Sequence, residues 1–443
     1  MTSSPSAASP STAANGRLVN VPADVPTLEA AVAAAQPGDV ILLASGTYRG
    51  GVTVPREKHD LIIRGADRNQ VILDGKDVLL SGIEVKADRV TIENMTARHY
   101  MGNGFEWEGV DGFSGRYLTV WNVGLYGIYA IESRHGSFEE DLVSGAADSA
   151  FYVGECQPCD TVVGHVTARN SAIGYSGTNA GGNLAVRDSL WDRNGSGILP
   201  NSFEGQEAPP PERGTRIAGN TVRDSGSIPV PAHSPLAGFV GLGIGIAGGQ
   251  DNIVEGNMVT GSTRFGIALF PTLQKSGNVF APGGNRVRAN TVSGSGRADL
   301  ALSTGSDSGN CFAANTFGTS LPARIEALLP CEAGGSPKPH GDRTVGRELA
   351  IPIPEALDRL GKRPDYTTMP APEPAVGMPD PVPTNLRPFA EPPVNDVPPA
   401  GESPAGLTAT PAMLVVVIGT IVLVAAIASW AVVRRRRRRP PGG

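Results

Sequence analysis

The chain has 443 residues, 57 glycines, 38 prolines, 5% aromatic residues and a formal net charge of -6. That length allows a large buried core with appendages. A mildly acidic balance, with no basic cluster ahead of Arg434, excludes nucleic acid as the main partner, because neutralising phosphates needs gathered Lys and Arg.

The opening MTSSPSAASPSTAANG has neither a basic start nor an apolar run, so residues 1–17 read as a disordered segment and not as a cleavable signal peptide. The first predicted element lies in TLEAAVAAAQPGDVILLASGTY, residues 27 to 48. Leu28, Ala31, Val32 and Ala35 share one helical face there, suited to covering the open end of a core. PGDVILLASGTY then reads as a turn into a strand.

From residue 104 the chain repeats. Gly104-Phe105, Gly127-Ile128, Ala150-Phe151, Gly174-Tyr175 and Gly197-Ile198 follow at steps of 23, 23, 24 and 23 residues, and Gly245-Ile246, Gly266-Ile267 and Asp299-Leu300 continue the series. The later steps lengthen where Pro- and Gly-rich insertions fall at 203–214, 226–240 and 271–284; the first, FEGQEAPPPERG, projects from one coil, and such loops often shape a groove wall. A second marker, polar then apolar, runs beside the first: Asn94-Met95, Asp141-Leu142, His165-Val166, Asn220-Thr221, Asn257-Met258, Asn290-Thr291 and Asn315-Thr316. Each block thus holds short alternating strands separated by Gly, Asn and Ser turns. No block can bury its own apolar face, so the blocks must stack along an axis around one continuous core. The marker asparagines would satisfy backbone groups at tight bends, which Asn tolerates.

Four cysteines suit an oxidising compartment. Cys156 pairs most simply with Cys159 and Cys311 with Cys331, the second bridge pinning a terminal cap. Residues 336–411 carry 18 prolines and little periodicity beyond a short helix at Glu355 to Leu360. Extended chain of this kind spans ~3.1 Å per residue, and the segment 335–411 reads as a stalk on the order of 200 Å long. Ala412 to Val433 then gives 22 residues without a charge, followed by six arginines. A helix of that length crosses about 30 Å of hydrocarbon, and the arginines of tail 434–443 should stay cytoplasmic. The expected location is therefore a cell membrane, crossed once, with residues 18–334 outside.

The cap and repeat together resemble the pectate-lyase-like β-helix proteins, which include carbohydrate-binding and sugar-hydrolysis domains. The resemblance covers about residues 18 to 330. It implies an all-β fold, a single-stranded right-handed parallel β-helix of about 10–11 coils with an N-terminal capping helix, to which the composition adds a Pro-rich stalk and one C-terminal transmembrane helix. It implies no chemistry, because the arginine-rich and aspartate motifs of pectate-cleaving relatives and the polygalacturonase motifs do not occur in order. RHG at Arg134 to Gly136 is an isolated fragment.

Candidate chemistry comes from alignment of the coils, whose neighbours lie ~4.8 Å apart. One outward row holds Glu106, Tyr129, Tyr152, Ser176 and Leu199. The next holds Glu108, Ile131, Gly154, Thr178 and Asn201, and the following one Gly109, Glu132, Glu155, Asn179 and Ser202. Stacked glutamates repel, which raises the proton affinity of one of a pair into a general acid's range. Glu132, Glu155 and His135 are thus the expected catalytic groups, with Asp111 within reach. Glu106, Glu108, Tyr129, Tyr152 and Asn201 are the expected substrate contacts, the tyrosines offering flat faces to a sugar ring. The same oxygens suit a calcium ion, the candidate cofactor; solvated surface is the bland alternative.

The expected function is binding or modification of a polysaccharide or cell-wall glycan by a monomer, through lyase or glycoside hydrolase action if it is catalytic. A glutamate-rich groove repels uronates unless a cation intervenes, which favours neutral sugars. The alternative is a non-catalytic cell-surface adhesin or cell-wall scaffold; a metal-insertion accessory role has few Met and His residues behind it.

Overall fold

The computed structural model describes residues 16–306, 309–332, 340–352, 355–356, 360–382 and 386–388. The expected membrane span 412–433 and basic tail lie outside them. Among the described residues no helix is long and apolar enough to cross a membrane.

The repeat winds as a right-handed parallel β-helix of about 13 turns, somewhat more than the 10–11 expected. The strands Arg17–Val21, Val40–Leu43 and Ile62–Gly65 wind before the glycine markers begin. Three parallel faces form. One is an 11-stranded sheet; the other two make a 22-stranded sheet, joined where the long strands Val90–Tyr100 and Asp111–Val123 turn the corner between faces.

The register shows why blocks of about two dozen residues work. On the 11-stranded face Ile83, Phe105, Ile128, Phe151, Tyr175 and Ile198 stand in one inward row. The other two faces contribute Phe138, Val163, Val186, Ile217, Val254, Val287 and Phe312, and Val143, Ala168, Trp191, Val222, Val259 and Val292. These fill one core from end to end. Burying so many aliphatic groups at ~25 cal/mol per Å² is the main driving force. The two buried indoles keep partners: Trp107 donates to the Val90 carbonyl at 3.2 Å and Trp191 to Asn220 Oδ1 at 3.1 Å, as buried Trp requires.

The expected cap is the helix Leu28–Ala34, with Leu28, Ala31 and Val32 buried and Thr27 Oγ1 accepting from Ala30 N. The asparagines behave as expected. Asn220, Asn257 and Asn290 each donate through Nδ2 to the next side-chain oxygen at 2.9–3.0 Å, and Asn315 passes the ladder to Glu326. A second ladder, Asn252, Asn285 and Asn310, starts from buried Glu212. Cys156–Cys159 and Cys311–Cys331 are bonded.

The stalk expectation needs correction for the described part of 340–388. Asp342 caps a helix over Arg343–Leu349, whose Val345 and Leu349 are buried in a second apolar cluster on the outside of the 11-stranded face. Beyond it the chain runs back along the β-helix. Asn122 Nδ2 donates to the Thr367 and Met369 carbonyls, Asn69 and Ala375 bond reciprocally, Arg68 donates to Val376 O, and Met378 N donates to Asn94 Oδ1. Arg64 holds the Asp380 and Pro381 carbonyls. Arg387–Pro388 finally pairs in parallel with Arg17 and Leu18. The prolines keep this segment extended, as composition suggests, but corner side chains satisfy its backbone groups against the coils. Of the short helix expected at 355–360, only Glu355 and Ala356 lie in a described helical stretch.

Candidate functional site

The 11-stranded face carries its outward residues in the register expected. Thr53, Glu84, Glu106, Tyr129 and Tyr152 form one row, and Lys86, Glu108, Ile131 and Gly154 lie two residues on. These five strands floor a groove with two unlike banks. Residues entering the strands make the first bank, Leu79, Leu80, Asn103, Leu125, Tyr126 and Asp148. Leu80 is 63% exposed and Leu125 37%. Residues leaving the strands make the second bank, which is charged: Lys86, Glu108, Glu132 and Glu155.

The N-terminal half of the groove is a cleft of about 340 Å³. Thr53 donates to Glu84 at 2.8 Å, while Ser81 and Asn103 donate to Glu106 at 3.2 and 2.8 Å. Burial pushes the Glu106 carboxyl up, and the Glu84 and Glu108 charges add to the effect. Oxygens of Glu84, Glu106 and Glu108 lie within 4.8 Å of one another, a donor type that suits hard cations. Lys86, however, already supplies a positive charge between Glu84 and Glu108, at 3.1 and 3.3 Å.

The other half is a cleft of about 280 Å³ built on three tyrosines. Tyr129 and Tyr152 stack with centroids 4.8 Å apart and planes 26° apart; Tyr126 stacks on Tyr129 at 4.5 Å. The helix repeat spaces the rings, and Gly154 leaves room for them, since a Cβ there would collide with the Tyr152 ring. Burial raises all three phenols, so they stay protonated.

Two carboxyls flank the platform. Glu155, 9% exposed, accepts from Glu207 N at 2.9 Å. Burial raises it, and the Glu132 and Glu207 charges raise it further. Asp148, 5% exposed, accepts from the Ser149 hydroxyl at 3.0 Å; its burial among Tyr126 and Ser234 pushes its carboxyl up. Glu132 is raised by burial first, then by Glu207 and Glu108, yet its side chain is exposed at the rim. Glu132 and Glu155 both hold left-handed backbone, φ 51° and 56°, one coil apart, a conformation uncommon outside Gly and Asn.

Two expected residues are not brought in. His135 lies around the corner on another face of the same coil, its Nδ1 2.6 Å from Asp111 and its Nε2 3.4 Å from Asp160. Asn201 is fully buried, donating to Leu199 O and accepting from Thr178. The residues that the coil alignment passes over are Glu84, Tyr126, Asp148 and the insertion side chains Phe203, Gln206 and Leu236. Asp148 had one signal: an aspartate stands just before a strand where the previous coil has Leu125, to whose carbonyl Asp148 N donates.

A family model described as "right handed beta helix region" matches residues 103–272, which include the tyrosine platform and both flanking insertions. A search of curated proteins finds no match. Among solved structures the chain is similar to the A-module of the Azotobacter vinelandii mannuronan C-5 epimerase AlgE4, at 15% identity over 68% of this chain and 92% of that one, TM-score 0.44. It is similar to the DFA-IIIase from Arthrobacter chlorophenolicus A6 in complex with GF2, at 15% over 69% and 99%, TM-score 0.44. It is also similar to the alginate lyase from Paenibacillus sp. str. FPU-7, at 14% over 69% and 99%, TM-score 0.40. Likeness this distant says nothing of chemistry, since one fold hosts many activities.

Proposed function

We propose that the groove binds a neutral glycan and that Asp148 and Glu155 assist cleavage of a glycosidic bond there. The observation that carries this reading is the stack of Tyr126, Tyr129 and Tyr152 between those two carboxyls. Stacked on one another, the rings turn edges and hydroxyls to the cleft, a mixed apolar and polar surface that matches a sugar, which has an apolar face and a polar rim. The acidic second bank disfavours uronates. Asp148, the more buried carboxyl, suits the general acid that protonates the glycosidic oxygen; Glu155, once ionised, suits the base that orients water on the opposite bank. On the uncharged run at 412–433 and the arginines behind it, we further propose that the groove faces outward from a membrane that the chain crosses once, as a monomer.

Neutral polysaccharides and, in parallel, uronate polysaccharides should be incubated with the protein, with and without calcium, while new reducing ends and the absorbance of unsaturated uronate products are followed. The expected result is reducing ends without unsaturation, independent of calcium. Asp148→Asn should lower kcat by about 10²–10⁴-fold and leave binding in place. Binding without turnover would favour the adhesin or scaffold reading, and calcium-dependent unsaturation a lyase.

A further inference from the structure

The groove is closed at one end. In register beyond Tyr152 the outward row continues through Ser176, Leu199, Gly245, Ala268 and Ala301, and its side chains are almost wholly buried, at 1%, 0%, 0% and 0% exposure for Ser176, Leu199, Ala268 and Ala301. Two insertions meet over it. Phe203 from the first and Leu236 from the second pack in one apolar cluster with Leu199, and both line the tyrosine cleft. Farther on, Val345, Leu349 and Ile351 belong to the same cluster as Ala268 and Ala301. Side-chain bonds fix the first insertion: Asn179 donates to the Phe203 and Ala208 carbonyls, and its Oδ1 accepts from Phe203 N. At the other end Thr53 is exposed, on the first strand of this face.

Resting on the glycan reading above, we infer that the groove takes chain ends and excludes internal segments. A linear glycan enters past Thr53, lies along Glu84 and Glu106, and stops with its terminal sugar at the half-buried Tyr126 and Tyr129, where Tyr152 is already 4% exposed beneath the wall of Phe203 and Leu236. Asp148 and Glu155 line the same closed cleft, so any bond they cut lies near that end, and the product is short.

The test uses the full chain and a panel of neutral homo-oligosaccharides (α- and β-glucans, mannan, galactan and fructan), each offered in three forms. These are tethered through the reducing end, tethered through the other end, and closed into a ring or tethered at both. The expected result is binding to one singly tethered form, with the doubly blocked form weaker by about tenfold or more. The variant Phe203→Gly with Leu236→Gly should recover binding to the blocked form, and the wild-type comparison decides the matter even where that variant fails to fold. Equal wild-type binding to blocked and free forms would overturn end recognition and leave the glycan reading standing. Absence of binding in every form would overturn both.

Discussion

At the residue scale, the tyrosine row owes its position to backbone as much as to side chains. Gly154 is the vacancy into which Tyr152 leans, so Gly154→Ala should displace that ring and weaken glycan binding by about tenfold while the core, which it does not touch, keeps its stability; calorimetry with thermal melts checks both. Proton affinity sets the pH behaviour. The raised Asp148 carboxyl is protonated below its shifted pKa, so turnover should fall as pH rises through that value. In Asp148→Asn this limb of the pH–rate profile should vanish. Glu212 tests the same physics away from the groove. Burial raises it from 4.5 to about 7 against bonds from Thr215 and Asn252. A carboxyl raised on folding supports the fold fully below its unfolded pKa, and that support is lost as pH climbs through the folded value. Glu212→Gln, whose amide can donate to Thr215 and accept from Asn252, should therefore gain on the order of 1–3 kcal/mol over the native chain at pH 8 and little at pH 4. Denaturant titration at the two pH values measures it.

The residues legible from sequence were those that the repeat itself aligns. Steps of 23 or 24 residues place Glu106, Tyr129 and Tyr152 in register whatever the rest of the coil does. His135 was misplaced because three residues after Glu132 the chain has already turned the corner to another face. The insertion 203–214 is legible as a groove wall, but its lining side chain Phe203, and Leu236 in the second insertion, are not, because an insertion has no copy in the next coil to align it with.

At the element scale, the asparagine ladders take the place of a conventional turn. Asn257 Oδ1 accepts from both N and Nδ2 of Asn220, while its own Nδ2 donates to Ile217 O and Asn290 Oδ1. Asn257→Ala strands a buried backbone N–H and carbonyl at once, so it should cost about 2–3 kcal/mol, read by chemical denaturation. This ladder was visible in advance, since Asn recurs at the same place in four coils. The capping helix was equally plain from the spacing of Leu28, Ala31, Val32 and Ala35. At the far end, Cys311–Cys331 closes a 20-residue separation, and its loss should lower stability by about 3 kcal/mol.

At the scale of the molecule, the returning segment binds the two ends of the β-helix together. It covers Arg64, Arg68, Asn94 and Asn122 and adds a pairing partner to the edge strand Arg17–Val21, where an open edge would invite association. Composition announced an extended chain and could not say what it lies on, because proline carries no contact pattern. Deleting 361–388 should lower the melting temperature and speed hydrogen exchange at Leu18 and Val19; a free stalk would leave both unchanged. The tyrosine stack is tested by the binding of neutral oligosaccharides to the native chain and to Tyr129→Ala. Measurable binding by the native chain and a loss of about tenfold or more in the variant are expected, with the melting temperature within a few degrees; a variant that binds as well as the native chain would rule out the tyrosine stack as the binding surface.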